Sequence, residues 1–264
     1  MPDTDWQPSA TLATLRARAG LYRQIREFFQ DRQVLEVETP LLSHGIGTDP
    51  NLHPLVAGYQ PFPGGPSTPL YLQTSPEFAM KRLLAAGSGP VFQLCKAFRN
   101  GETGRRHNPE FTMLEWYRPG FTLEQLMDEV QVLVDGVLGT GDIPGVSYAS
   151  LFLHHVGVNP HTCLQEELLD AVMSRVSVSS QELSRDNCLE LLYSHIIEPA
   201  LLTPVFIHGY PASQAALARL AHDDEGNLIA SRFELVIQGM ELANGYDELV
   251  DVDEHNRHFA FFVR

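Results

Sequence analysis

The sequence predicts an α+β domain on an antiparallel β-sheet flanked by helices, and three observations carry that prediction. Short strand-like runs are separated by long polar or Gly/Pro-rich loops. Helical periods stand beside the strands with no regular βα alternation. The composition, 44% hydrophobic and 19% charged over 264 residues, can bury a substantial core and excludes a disordered or fibrous chain.

The elements follow in order. From Ala10 to Asp31, apolar Leu12, Leu15, Ala19, Tyr22, Ile25, Phe28 and Phe29 recur at helical spacing, giving an amphipathic helix. Val34 to Thr39 reads as a short strand that Pro40 stops or pushes to an edge. Residues 43–69 are rich in Gly and Pro and read as loop and hairpin tip. Leu70 to Gln73 is a strand, and Pro76 to Ala86 a helix with Ser75 as N-cap and Pro76 at N1. Strands Val91–Arg99 and Glu110–Tyr117 flank a polar loop. Helices are expected at about 122–138, 163–176 and 185–198, then a strand at Val205–Ile207. The last strands are expected at Arg232–Leu242 and Tyr246–Val250, turning at Asn244-Gly245, the strongest two-residue hairpin signal.

Charge narrows the partners. Lys+Arg 18 against Asp+Glu 33 gives a formal charge of −15, and the only lysines are Lys81 and Lys96. Such a field disfavours tRNA or DNA and suits a basic protein partner. No apolar run approaches the ~20 residues of a membrane span. Pro2, Asp3 and Asp5 do not make the basic start of a signal peptide. Cys95, Cys163 and Cys188 have no metal-type spacing. A soluble cytoplasmic protein is the expectation.

Three constellations could carry chemistry. Strand alternation puts Gln93, Cys95, Ala97 and Arg99 on one face of one strand, and Phe111, Met113, Glu115 and Tyr117 on one face of the next. If those faces coincide, a guanidinium, a ring, a carboxylate and a phenol converge: a grip for phosphate, a stacking surface and an ammonium site. The competing reading is a solvated hairpin. In Glu241-Leu-Ala-Asn-Gly-Tyr-Asp-Glu248, a turn at Asn244-Gly245 would set Glu241 opposite Glu248. Two facing carboxylates suggest Mg²⁺ or an ammonium between them, unless both point to solvent. In Thr74-Ser75-Pro76-Glu77, Glu77 is either a helix-dipole partner or a pocket carboxylate. No Gly-rich phosphate loop of Rossmann or P-loop type occurs.

These residues resemble the class II aminoacyl-tRNA synthetases in their lysyl form. Phe98-Arg99-Asn100 with Arg105-Arg106-His107-Asn108-Pro109-Glu110-Phe111-Thr112 is similar to motif 2, and Phe29 to Leu41 to the dimer-forming motif 1. Thr74-Ser75-Pro76-Glu77 with Met80-Lys81-Arg82-Leu83, and Glu241 to Leu249, are similar to the lysyl subgroup's substrate segments. Glu110 to Pro119 and Tyr210-Pro-Ala-Ser-Gln-Ala215 are closer to the lysyl paralogues that act on a protein, elongation factor P. The resemblance spans about residues 6–255. It implies a class II synthetase-like catalytic domain over residues 1–264 with no anticodon-binding domain, and a homodimer. It implies an ATP- and Mg²⁺-dependent ligase that adenylates (R)-β-lysine and passes it to a lysine ε-amine of elongation factor P, without tRNA.

By position, the resemblance gives Arg99 and Glu241 catalytic roles. ATP falls to Arg99, Asn100, Gly101, Asn108, Phe111, Glu241 and Leu242, and Mg²⁺ to Glu241 and Glu248. The amino-acid substrate falls to Ser75, Pro76, Glu77, Tyr117 and Glu248, with Glu115 a further candidate. Two departures stand out. Gly101 occupies the place of the synthetases' glutamate, with Glu102 one residue later. The family's C-terminal motif 3 has no counterpart before the run His258 to Arg264, so the expectation is a domain without its last strand and helix. On that ground a catalytically impaired binding protein is one alternative, and a tRNA-free aspartate-activating enzyme of the asparagine synthetase type is another.

Overall fold

The computed structural model describes residues 7–45, 47, 52–104, 107–177 and 183–253. Arg105 and Arg106 of the motif-2-like loop, and the run His258 to Arg264, lie outside them. The chain divides into two compact units, residues 1–120 and 121–264.

In the first unit, α1 (Leu12–Asp31) starts where the Thr11 hydroxyl accepts the Thr14 N–H, and it buries Ile25 and Phe29. β1 (Leu35–Glu36), β2 (Leu42–Ser43), β3 (Val56–Tyr59), β4 (Thr68–Leu72), α2 (Glu77–Ala85), β5 (Val91–Phe98) and β6 (Glu110–Tyr117) follow. They form two three-stranded sheets, β1-β5-β6 and β2-β4-β3. Within the Gly/Pro-rich stretch, Val56–Tyr59 is itself a strand, paired antiparallel with β4. β1 pairs parallel with β5, a departure from the all-antiparallel expectation.

The β5–β6 register decides what the hairpin can do. Phe92 lies opposite Trp116, and Gln93, Cys95 and Ala97 lie opposite Glu115, Met113 and Phe111. The Phe29 ring stacks on Phe92 with centroids 4.5 Å apart and lies 5.4 Å from Trp116, so α1 covers one face. Side chains alternate across a strand, so the opposite face carries the polar set. The two faces read from the sequence therefore coincide.

The second unit holds α3 (Leu123–Leu138), β7 (Gly145–Ser147), α4 (Tyr148–His155), α5 (Gln165–Arg175), α6 (Arg185–Leu192), β8 (Val205–Pro211), β9 (Leu220–His222), β10 (Leu228–Val236) and β11 (Glu241–Tyr246). Its sheet runs β11-β10-β8-β7 with β9 also on β10, and β7 lies parallel to β8. Leu168, Val172, Leu189, Leu192, Ile197 and Ile207 are among its core residues, each without solvent exposure. Thr122 and Gln125 form a capping box on α3, and Gly139 at φ +66° ends it. After α6 the chain continues through a π-helical turn, Tyr193–Ile197.

The expected Asn244-Gly245 turn is overturned. β10 and β11 are joined by Gln238-Gly239, with φ of +53° and +62°, the pair of positive values that a type I′ turn needs. Ile237 and Met240 exchange both backbone hydrogen bonds across it, at 2.9 and 3.1 Å. Asn244 and Gly245 lie inside β11, opposite Glu234 and Phe233. Gly245 serves packing: a Cβ there would stand 2.4 Å from two atoms of the Phe233 ring.

Candidate active site

The first unit brings most of the candidate residues together. On the polar face of β5–β6, the Glu115 carboxylate accepts the Ser75 hydroxyl at 2.7 Å and the Tyr117 hydroxyl at 2.8 Å. Burial raises the Glu115 carboxyl above the usual carboxylate range, against the two donating hydroxyls; Glu77 adds to the rise and Lys81 opposes it. Ser75 is not the helix cap. Pro76 occupies that place without a side-chain bond, and the Ser75 hydroxyl, one residue earlier, accepts the Glu77 N–H at 3.0 Å while donating to Glu115. Pro76 is buried beneath this segment, and Glu77 is half-buried in the first turn of α2. The Glu77 carboxylate is paired with Lys81 at 2.7 Å.

Gln73 fixes this segment against the hairpin. Its carbonyl accepts the Phe98 N–H, and its own N–H donates to Leu41, both at 2.9 Å. Its side-chain amide donates to the Lys96 carbonyl at 3.1 Å and to Cys95 Sγ at 3.6 Å. The Cys95 thiol is pushed up to about 11, by burial first and then by Glu115, which removes it as a nucleophile.

Further along the same face sit Arg99 and Phe111. The guanidinium carbon lies 5.1 Å from the Phe111 ring centroid, and Nε lies 3.5 Å from the Thr74 carbonyl. Gly101 has φ +84°, where a side chain would be strained, so a glutamate is disfavoured at that position. Glu102 stands one residue on and still reaches Arg99, at 3.8 Å. Asn100 donates its N–H to the His53 carbonyl at 2.7 Å, and Asn108 is exposed.

The second unit carries the remaining candidates, and their arrangement differs from the expectation. Glu241 pairs in register with Val236 beside an irregularity that leaves Leu242 as the extra residue, while Glu248 bridges to Ala218. The two carboxylates therefore do not face each other across a hairpin, which corrects the proposed carboxylate pair. Glu241 and Leu242 are exposed and Glu248 is half-buried. Among the described residues no cluster of three His, Cys, Asp or Glu could hold a metal by itself. One or two carboxylates can still serve a Mg²⁺ ion carried on nucleotide phosphates.

Sequence reasoning missed the polar group behind β11. Arg232 and Glu234, two apart on β10 and therefore on one face, form a nearly buried ion pair. Arg232 donates to the Gln214 carbonyl at 3.0 Å and lies 4.3 Å from the Tyr210 ring centroid. Burial would lower its pKa, but Glu234, Tyr246, Tyr210 and Glu241 raise it. The Tyr193 and Tyr210 hydroxyls are buried without a well-formed hydrogen bond, and burial pushes both phenols up. The legible signal was a pair of opposite charges within an otherwise apolar strand.

Comparison with known proteins gives the family. The model for tRNA synthetases class II (D, K and N) matches residues 4–261. A protein of Sodalis glossinidius named elongation factor P–(R)-β-lysine ligase is 46% identical over 258 residues, covering 96% of this chain and 79% of that protein. A Vibrio cholerae protein of the same name is 48% identical over 256 residues, covering 94% and 78%. One from Pseudoalteromonas translucida is 48% identical over 261 residues, covering 96% and 79%.

Proposed function

Because the chain belongs to the class II tRNA synthetases of the D, K and N group, we propose that it activates (R)-β-lysine with ATP and transfers it to a lysine of elongation factor P. The relatives at 44–48% identity are named elongation factor P–(R)-β-lysine ligase, which supports the amino acid and the acceptor. The single observation that carries the reading is the polar face of β5–β6, where Ser75 and Tyr117 meet the Glu115 carboxylate and Arg99 lies beside Phe111. An arginine and an aromatic ring stand at one end, and Glu115 stands opposite Gln93, four residues and about 14 Å along the strand. That span leaves room for an amino acid between a nucleotide and the carboxylates.

In the first step the carboxylate of β-lysine attacks the α-phosphorus of ATP. Pyrophosphate leaves and an acyl adenylate forms. Arg99 neutralises the charge that grows on the α-phosphate, and Phe111 stacks on the base with Asn108, Asn100 and Gly101 beside it. Ser75, Glu77, Glu115 and Tyr117 hold the substrate ammonium groups over Pro76; the resemblance alone adds Glu248 to the amino-acid residues. The resemblance gives the nucleotide to Glu241 and Leu242 as well, with Glu241 as the carboxylate for its Mg²⁺. In the second step the ε-amine of the protein lysine attacks the acyl carbon and AMP leaves. No protein nucleophile is needed, since positioning and charge stabilisation supply the catalysis. The acidic surface, −15 overall, suits a protein acceptor better than tRNA.

We also propose a homodimer working in the cytoplasm as one catalytic domain. Leu12 and Leu15 on α1 and Leu35 on β1 are 70%, 47% and 56% exposed, an apolar surface that self-association would cover. A monomeric mass in sedimentation would refute this.

ATP–pyrophosphate exchange with (R)-β-lysine, α-lysine and aspartate in parallel tests the reaction. Exchange strongest with β-lysine is expected, and its loss in Arg99→Ala at an unchanged melting temperature. Exchange driven by aspartate, or ATP binding without exchange, would overturn the reading.

A further inference from the structure

We infer that Lys81 is a resident counter-ion of the amine pocket, occupying on Glu77 the place of a substrate ammonium, so that substrate binding exchanges one ammonium for another. The inference rests on the proposed lysine-activating reading and assigns Lys81 a tuning role within it.

The geometry is specific. Lys81 stands four residues after Glu77 on α2, hence on the same helix face, with Nζ 2.7 Å from Oε1. Their side chains are 25% and 30% exposed. In this unit the ion pair Arg99–Glu102 is equally sheltered, at 25%/33%, while Arg26–Glu36 and Lys96–Glu110 are far more open, at 47%/42% and 43%/54%. The Lys81 charge is also felt at Glu115, where it opposes the effect of Glu77. One hydroxyl, that of Ser75, joins the backbone of Glu77 to the Glu115 carboxylate. Lys81 therefore neutralises the carboxylates proposed to receive the amino acid.

Residue choice supports an exchangeable partner. Of 18 basic residues only two are lysines, and one of them stands here. An arginine fork would grip Glu77 through two parallel bonds, whereas an ammonium is a compact point charge on a flexible stem that a chemically identical group can replace. Displaced, Lys81 needs only to turn toward the solvent it already partly meets.

The opposing account is a helix-stabilising pair with no bearing on substrate, and KM separates the two. The assay is ATP–pyrophosphate exchange with (R)-β-lysine on the wild-type chain, Lys81→Met, Lys81→Gln and Lys81→Arg. Removing the resident charge should lower the β-lysine KM about three- to fivefold in Lys81→Met and Lys81→Gln, within the range of partly exposed ion pairs. Lys81→Arg should raise it, and the KM for ATP should stay within twofold throughout. The differences should shrink in 0.5 M KCl as screening weakens the pair. A higher or unchanged β-lysine KM in both neutral variants, with the wild type active, would overturn the inference alone. A wild type that exchanges with neither lysine isomer would overturn the functional reading and this inference with it.

Discussion

Replacing Gly245 by alanine should destabilise the second unit through one contact. A Cβ at this position would stand 2.4 Å from Cε1 and Cζ of Phe233 and 3.3 Å from Cδ2 of Leu126. Ordinary carbon contacts lie near 3.5–4.0 Å, so the ring must retreat by roughly 1 Å. Phe233 is fully buried, so its ring can move only by displacing its neighbours. Overpacking of this kind costs about 1–3 kcal/mol. At about 2–4 °C per kcal/mol for a chain of this size, the melting temperature should fall by roughly 2–12 °C. Thermal unfolding followed by circular dichroism, with urea unfolding as a check, measures it. A melting temperature within 1 °C of wild type would refute the register, because Gly245 would then not face Phe233. The companion change Gln238→Asn relieves a positive φ at a residue that tolerates it poorly, and should be neutral or stabilising.

Two further outcomes follow from the site. Ser75→Ala removes a donor to the Glu115 carboxylate, so the acid limb of kcat/KM for β-lysine activation should move to higher pH; movement to lower pH would contradict the assigned hydrogen bond. The raised carboxyl means the folded chain holds an extra proton between the unfolded and folded values. Stability from Glu115 should therefore fall as pH rises through that window. Arg232→Leu leaves the Glu234 carboxylate in a nearly buried position without its ion-pair partner and should cost about 3–5 kcal/mol in urea unfolding. The double change with Glu234→Leu should recover much of that loss, and full additivity of the two single effects would show the pair to be uncoupled.

Much of the first unit was legible in the sequence because its signals are local. The apolar period of α1, the alternation in β5 and β6 and the polar loop between them set which side chains share a face. Phe29 against Phe92 then left the polar set on the opposite face, as alternation requires. The family was legible too, since Arg99, Phe111, Ser75 and Glu77 lie in short contiguous motifs. What the sequence could not supply was the pairing of segments distant along the chain. Asn244-Gly245 is a hairpin signal by itself, yet the packing of Gly245 on Phe233 and the positive φ values at Gln238-Gly239 placed the turn elsewhere and separated Glu241 from Glu248. Ser75 looked like a cap alone, yet its hydroxyl also donates to Glu115, forty residues away. The Arg232–Glu234 pair and the resident Lys81 depend likewise on burial and distance. The sequence by itself determined the chemistry-bearing residue types and their local faces. Only the tertiary structure decided which of them meet, because burial and cross-strand register are set by the whole chain.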